Sequence, residues 1–181
     1  HSIPWTYLLQ TRGDATKEKS LLLDMIQDII DGKVEKKNEK FYLKNAQGNL
    51  EFTLLAEGYR KLGLLYSLIQ NESLSSGSIL FWDEPEANLN PRLATKVVKI
   101  LLELQRMGTQ VFIATHDYVM LKELELDADP SKDHVAYHAL YLKDGNVNCQ
   151  TSSSLKEISH NAISDTFDSL VVRSIGNDWE D

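Results

Sequence analysis

Two short apolar runs stand out from the pattern of hydrophobic and polar positions along the chain. Residues 79–82 are four large apolar residues in succession, which predicts a strand buried on both faces, because a half-exposed strand would alternate. A second apolar strand is predicted over residues 111–115. Between them, residues 92–107 carry apolar side chains at helical spacing, and Gly108 can end that helix. Strand, helix and strand at this length predict a βαβ unit with parallel strands that end at the same edge of a sheet.

The segments before this unit follow other periods. Residues 3–15 show no regular pattern, whereas residues 17–31 have the spacing of an amphipathic helix. Residues 33–37 mix positive and negative charges and are predicted as a solvated connection. Residues 40–44 and 50–54 alternate apolar and polar positions around a five-residue loop that contains glycine. This arrangement predicts a β-hairpin.

The remaining segments predict three helices and a second hairpin. A helix is expected after the first hairpin, and a short one over residues 118–124. The second hairpin is expected over residues 134–149, with its turn at Asp144-Gly145, and the chain is expected to return to helix from Ser154 onward. The first of these helices is predicted to face inward through Leu62, Leu65 and Ile69.

Chemically active side chains follow both strands of the βαβ unit. Asp83 and Glu84 come directly after the first apolar run, and His116 comes directly after the second strand. Open α/β sheets bind their ligands at the carboxyl ends of parallel strands. We therefore expect Asp83, Glu84 and His116 to converge on one site.

Composition limits the classes of protein that the chain can represent. Its 181 residues are 42% hydrophobic, enough for one domain with a real core. No apolar run approaches the roughly 20 residues of a membrane span, and no secretory signal opens the chain. The single Cys149 fits a reducing cytosol, so we expect a cytoplasmic protein without a membrane segment. The net charge of −8 gives no support for nucleic-acid binding, although it leaves room for a local basic patch.

Three motifs carry a resemblance to a known family. The phrase Asp-Glu-Pro-Glu-Ala-Asn-Leu-Asn-Pro at residues 83–91 is similar to the Walker B motif plus D-loop of soluble ABC-class ATPases. Ala-Thr-His-Asp at residues 114–117 matches their switch histidine, His116. The segment at residues 55–62 resembles their signature loop, with Ala56 in place of the usual serine and Glu57 adding negative charge. The chain thus resembles the C-terminal half of an ABC-class, AAA-type ATPase head of the RecF-like, SMC-like or OLD-like kind.

The resemblance implies a fold and a domain organisation. The expected fold is α/β, a partial P-loop NTPase fold with a parallel βαβ core and flanking β-hairpins and helices. Residues 1–181 would form a single domain. Residues 1–53 would be a helix-plus-hairpin lead-in, residues 54–124 the signature, Walker B and switch core, and residues 125–181 a C-terminal hairpin and helix.

The resemblance also implies roles for residues. Asp83 would hold Mg²⁺, Glu84 would orient or deprotonate the attacking water, and His116 would sense the γ-phosphate. A nucleotide would be bound by the D-loop and by the backbone N–H groups at a helix start. The residues implied in nucleotide binding are Ala56, Glu57, Gly58, Asn88 and Asn90.

No Walker A motif is found in the chain. Its only Gly-Lys pair is Gly32-Lys33, with Gln27 where the motif requires its first glycine and Val34 where it requires serine or threonine. The resemblance therefore implies a piece of a longer ATPase that uses ATP and Mg²⁺ and is inactive by itself. In such a family two heads meet head-to-tail, so a homodimer is implied for the intact protein. DNA, or a nuclease or effector protein, are further partners that the resemblance allows.

Two alternatives stay open at this point. Asp83, Glu84 and Asp117 could gather metal ions in a metal-dependent nuclease, which needs no P-loop. A non-catalytic scaffold or interaction module would explain Ala56 and Glu57 but not the retention of the acid and the histidine. The sequence leaves open whether Glu86 shapes the loop or an interface.

Overall fold

The structure is a computed structural model that describes residues 5–37, 40–46 and 48–177. The chain divides into two units, His1–Thr115 and His116–Asp181. The elements of the first unit are α1 Trp5–Ile30, β1 Lys33–Lys37, β2 Lys40–Asn45, β3 Gly48–Glu51, α2 Glu57–Gln70, β4 Ile79–Asp83, α3 Ala94–Arg106 and β5 Gln110–Ala114. Those of the second are α4 Tyr118–Asp127, β6 Tyr137–Lys143, β7 Asn146–Ser152 and α5 Ala162–Asn177. Short 3-10 turns occur at Phe52–Leu54, Pro91–Leu93 and Leu155–Glu157.

The predicted βαβ unit is confirmed. β4 and β5 pair in parallel, from Ile79 opposite Gln110 to Asp83 opposite Ala114. The apolar face of α3 is buried, and Gly108 follows the helix with a φ of +89°, a conformation that only glycine adopts without strain. The two strands therefore end at the same edge of their sheet, as the spacing predicts.

One prediction about β4 is wrong. Within the described residues, the strand is covered on one face only: Ile79 and Phe81 are 56% and 75% exposed. The Phe81 ring stacks on Phe112 of β5, with ring centroids 4.8 Å apart. The reason is that β4 and β5 form a two-stranded sheet with α3 packed against β5. An apolar run shows that a strand can be buried on both faces, but not which elements cover it.

The segments before the βαβ unit hold more regular structure than the sequence predicts. α1 begins at Trp5 and includes most of the stretch predicted as irregular, since its residues include good helix formers and the isolated Gly13 is tolerated. Residues 33–37 form β1 instead of a solvated connection. Its single apolar residue, Val34, is buried, and its charged neighbours suit an edge strand.

The first predicted hairpin is a three-stranded antiparallel sheet in the order β1-β2-β3. Asn45 pairs with Gly48, so the loop between β2 and β3 is shorter than the five residues expected. The predicted second strand also ends early, at Glu51, because Phe52–Leu54 is a 3-10 turn.

The core of the first unit is built by the three helices. α1 packs against α2 and α3. The predicted inward positions of α2, Leu62, Leu65 and Ile69, are confirmed as buried, and Leu22 and Ile26 of α1 are fully inaccessible to solvent. Burying a side chain of this size typically stabilises a fold by about 1.5–3 kcal/mol. α2, which belongs to this core, carries Lys61, whose side chain bonds to the backbone just after β4.

The second unit is a helix, a hairpin and a helix around a small core of Leu121, Tyr137, Leu155 and Ile158. β6 and β7 pair from Tyr137 opposite Ser152 to Lys143 opposite Asn146. The turn is Asp144-Gly145, where both residues have positive φ, as a tight hairpin turn of this sequence requires. The hairpin starts three residues later than predicted, and α4 is longer than predicted. No helix among the described residues is long and apolar enough to span a membrane.

Candidate functional site

The carboxylate pair lies where β4 ends. Asp83 is the last residue of β4, and it pairs with Ala114, the last residue of β5. The next residue, Glu84, has a φ of +47°, in the left-handed region. For a residue other than glycine, that conformation costs roughly 1–2 kcal/mol. Such a residue persists only when its surroundings hold it in place.

Three hydrogen bonds hold the backbone of Glu84. Its N–H donates to the carbonyl oxygen of Ala114 over 2.8 Å. Its own carbonyl oxygen accepts from the N–H of Ala87 over 3.1 Å. The same oxygen accepts from Nζ of Lys61, on α2, over 3.2 Å. The predicted catalytic acid is thus fixed by β5 on one side and by α2 on the other.

The segment that follows is a tight, internally bonded turn. Pro85 is fully buried, and the N–H of Leu89 donates to the carbonyl oxygen of Glu86 over 3.1 Å. Asn88 is also left-handed, with a φ of +62°. The side-chain oxygen of Asn90 accepts from the N–H of Arg92 over 3.0 Å and so caps the 3-10 turn Pro91–Leu93. The roles of Asn88 and Asn90 toward a nucleotide stay predictions.

The predicted signature loop is the start of α2 and packs on this turn. α2 begins at Glu57, and its N-cap residue Ala56 makes no side-chain cap hydrogen bond. The carboxylate of Glu57 accepts from Nδ2 of Asn88 over 3.0 Å. Gly58 is buried, and a Cβ added to it would lie 2.6 Å from the carbonyl oxygen of Asn88 and 2.6 Å from Cδ2 of Leu89. Gly58 therefore allows close approach of α2 to the predicted D-loop of its own chain, and its contact with a phosphate stays a prediction.

Thr115 and Glu86 form a further link between the two strand ends. The Thr115 hydroxyl donates a short hydrogen bond to Oε1 of Glu86. Thr115 is the last residue of the first unit. His116 and Asp117 open the second unit, where Oδ1 of Asp117 accepts from the N–H of Met120 over 2.7 Å and caps α4. The convergence of His116 with Asp83 and Glu84 stays a prediction.

The donor set fits the requirements of Mg²⁺. This ion is usually bound through one or two carboxylates together with water and substrate phosphates. Asp83 is exposed at the strand end and can fill that role. Within residues 5–37, 40–46 and 48–177, no group of three or more His, Cys, Asp or Glu side chains could hold a metal ion. The nuclease alternative, which would combine Asp83 and Glu84 with Asp117 of the second unit, stays a prediction.

Sequence reasoning missed two contacts that shape the site, the bond from Lys61 to Glu84 and the bond from Asn88 to Glu57. Their partners lie 23 and 31 residues apart in the chain. A weak signal was available for the first. Gly58 and Lys61 are three residues apart on α2 and therefore share a helix face.

A family model described as "AAA domain, putative AbiEii toxin, Type IV TA system" matches residues 4–122. No curated protein matches the chain. One matching structure comes from work on ATP-driven dimerization and DNA-stimulated activation of SMC ATPases. Its TM-score is 0.55 at 14% identity, covering 84% of this chain and 91% of that one.

Two further structures are Smc heads in complexes. The Smc head domain with an extended coiled coil, bound to the C-terminal domain of ScpA and derived from Pyrococcus furiosus, has a TM-score of 0.54 at 13% identity, covering 77% of this chain and 35% of that one. The SmcHead bound to the C-winged helix domain of ScpA has a TM-score of 0.56 at 14% identity, covering 82% of this chain and 45% of that one. The chain therefore has an α/β fold similar to the P-loop NTPase fold of SMC ATPase heads, and spans less than half the length of these last two chains.

Proposed function

The chain belongs to the AAA domain family, and from this premise we propose that it supplies the Walker B, D-loop and signature part of an ABC-type head that hydrolyses ATP. The observation that carries the proposal is the backbone of Glu84. A carboxylate residue at the end of a parallel strand, held in a strained conformation by hydrogen bonds from two elements, is the kind of feature that proteins keep at functional sites.

Glu84, Asp83 and His116 each have one task in the proposed reaction. Glu84 accepts a proton from the water that attacks the γ-phosphorus. As the new P–O bond forms, the bond to the oxygen bridging the β- and γ-phosphates breaks, and ADP leaves. Asp83 would hold Mg²⁺, which would supply neutralisation of the charge on the phosphates. His116 contacts the γ-phosphate. General-base catalysis of this kind contributes about 10²- to 10⁴-fold in rate.

The head is proposed to work as a head-to-tail homodimer. Each ATP would then lie between the Walker motifs of one head and the start of α2 in the other. The N–H groups at a helix start and the positive end of the helix dipole suit a phosphate. The matching SMC ATPases, which are described by their ATP-driven dimerization, support this arrangement.

The Walker A motif is proposed to come from another part of the native protein. The described residues include no glycine-rich phosphate loop, and without its lysine Asp83 and Glu84 would repel a nucleotide. This chain alone should therefore bind ATP weakly or not at all. Low-micromolar affinity for ATP, measured by calorimetry on this chain alone, would refute the proposed half-site.

The partners and location belong to the same proposal. DNA, or a nuclease or effector protein, is proposed to bind the assembled heads in the cytoplasm. The DNA-stimulated SMC ATPases and the ScpA-bound heads among the matching structures support a partner of one of these classes.

Replacing the catalytic acid tests the function in the native protein. Glu84→Gln keeps the shape and a hydrogen bond to water but removes the base, so turnover should fall by about 10²-fold or more while ATP binding survives. The variant should then dimerise with ATP in sedimentation. Asp83→Ala should lose the Mg²⁺-dependent binding as well. Glu18→Gln, on the exposed side of α1, is the matched control for loss of a carboxylate.

Two results would contradict the proposal in different ways. If Glu84→Gln hydrolyses ATP at the unmodified rate, Glu84 is not the base. If it loses hydrolysis but stays monomeric with ATP, the catalytic role survives and the head-to-tail dimer fails.

A further inference from the structure

The contact between Glu86 and Thr115 joins the two segments that carry the predicted catalytic residues. Glu86 lies two residues after Glu84, and Thr115 directly precedes His116. The Thr115 hydroxyl donates to Oε1 of Glu86. Neither residue is among those predicted to touch the nucleotide, so the contact does not serve nucleotide binding directly.

The carboxylate of Glu86 is turned into the protein. Its Oε2 is buried and has no hydrogen-bond partner among the described residues. Removing a carboxylate oxygen from water without a full set of donors is unfavourable. A residue that served only to keep the turn soluble would point its carboxylate outward. The inward position therefore indicates that the role of this side chain is to accept the hydrogen bond from Thr115.

The contact extends the strand pairing past its last residues. The ladder of β4 and β5 ends where Asp83 faces Ala114. Beyond it, the N–H of Glu84 donates to the carbonyl oxygen of Ala114 over 2.8 Å. Glu86 and Thr115 add a second connection, two residues further along the first segment and one residue further along the second. Together these bonds fix the turn after β4 against the residues that leave β5.

We propose that Glu86 is a positioning residue for ATP hydrolysis, which acts by holding Thr115 so that the turn carrying Glu84 and the segment leading to His116 keep one register. This inference rests on the proposed function and deepens it. It resolves the question that the sequence leaves open, because it assigns Glu86 to the shape of the site within one chain and not to an interface.

A double-mutant cycle in the native protein tests this role. Glu86→Ala and Thr115→Val each remove the same hydrogen bond. Each should lower kcat for ATP by about tenfold, with KM for ATP changed by less than about twofold, because the residues act through others. The double variant should be no slower than either single variant, since one bond is lost only once. Thr115→Ser keeps the hydroxyl and should restore most of kcat.

The same proteins are melted thermally to separate positioning from folding. If Glu86→Ala fails to fold, Thr115→Val and Thr115→Ser decide the question, because each differs little in volume from threonine. A purely structural role would lower the melting temperature and leave kcat of the folded protein unchanged. Effects on kcat that multiply, to about 100-fold in the double variant, would mean that the two residues act independently.

The controls distinguish this inference from the proposed function. Folded, unmodified protein that does not hydrolyse ATP overturns the proposed function, and the positioning role with it. Unmodified protein that hydrolyses ATP while Thr115→Val keeps full kcat overturns the positioning role alone.

Discussion

Replacing Gly58 by alanine sets two physical effects against each other. Gly58 is the second residue of α2, and its φ lies outside the left-handed region. Helix propensity alone then favours alanine, by at most about 1 kcal/mol. From helix propensity alone, Gly58→Ala would therefore be expected to stabilise the protein.

The packing around Gly58 opposes that gain. The added Cβ would lie 2.6 Å from the carbonyl oxygen of Asn88, 2.6 Å from Cδ2 of Leu89 and 2.9 Å from its Cγ. The leucine side chain can rotate, but the carbonyl oxygen moves only with the backbone. Overpacking of this kind costs about 1–3 kcal/mol. Taking about 2 kcal/mol for the overlap and about 1 kcal/mol for the propensity gain, we expect a net loss of about 1 kcal/mol.

Unfolding experiments measure this balance. A net loss of about 1 kcal/mol should lower the melting temperature by about 2–4 °C for a chain of this size. Leu64→Ala, at a 61% exposed position of the same helix, is the control for an alanine substitution that creates no overlap. If Gly58→Ala melts at or above the temperature of the unmodified protein, the close contact between α2 and the D-loop is wrong.

Three further predictions concern the site, the second unit and the open face of β4. Lys61→Met removes the bond to the Glu84 carbonyl and should slow ATP turnover by about tenfold with little effect on ATP binding; Lys96→Met, exposed on α3, should not. Hydrogen bonds from Ser131 and Lys132 hold the pKa of Asp129 at about 2, below its ordinary 3.8. The stability that Asp129 contributes is therefore present above about pH 4 and lost as the pH falls toward about 2. Melting temperatures of Asp129→Asn and the unmodified protein should consequently differ at about pH 6 and converge below about pH 2. Phe81→Ala should cost less than about 1 kcal/mol in urea unfolding, against about 2–5 kcal/mol for the fully buried Leu62→Ala; equal losses would mean that the Phe81 face is covered.

Local patterns were sufficient to predict the central unit of the fold. The apolar run before Asp83 and the helical spacing before Gly108 each reflect contacts within a few residues, and both predictions are confirmed. Periodicity failed where burial depends on distant partners. The exposed face of Phe81 and the strand formed by residues 33–37 are set by which elements lie beside them, and the spacing within a segment carries no record of that.

The candidate site divides in the same way. The positions of Asp83 and Glu84 at the end of a parallel strand follow from the order of elements alone. The contacts of Lys61 and Glu57 join α2 to the turn after β4, and α2 itself is held by its packing against α1. A motif search compares residue types position by position and therefore finds the acids but not the residues that hold them.

The structure also gives a physical reason for the acidic residue in the predicted signature loop. The negative charge of Glu57 is a departure from the family pattern that favours a scaffold over an enzyme, because a carboxylate near a phosphate is repulsive. In the structure this carboxylate accepts a hydrogen bond from the side chain of Asn88. Asn88 and Glu84 are the two residues of this turn whose backbone is left-handed. An exposed hydrogen bond of this kind contributes about 1 kcal/mol or less, but it holds a strained residue in place. Together with the bond from Lys61 to the strained Glu84, it makes α2 the support of both left-handed residues in the turn. Glu57 therefore has a structural reason to be acidic that is independent of the nucleotide, and its charge no longer argues for a scaffold.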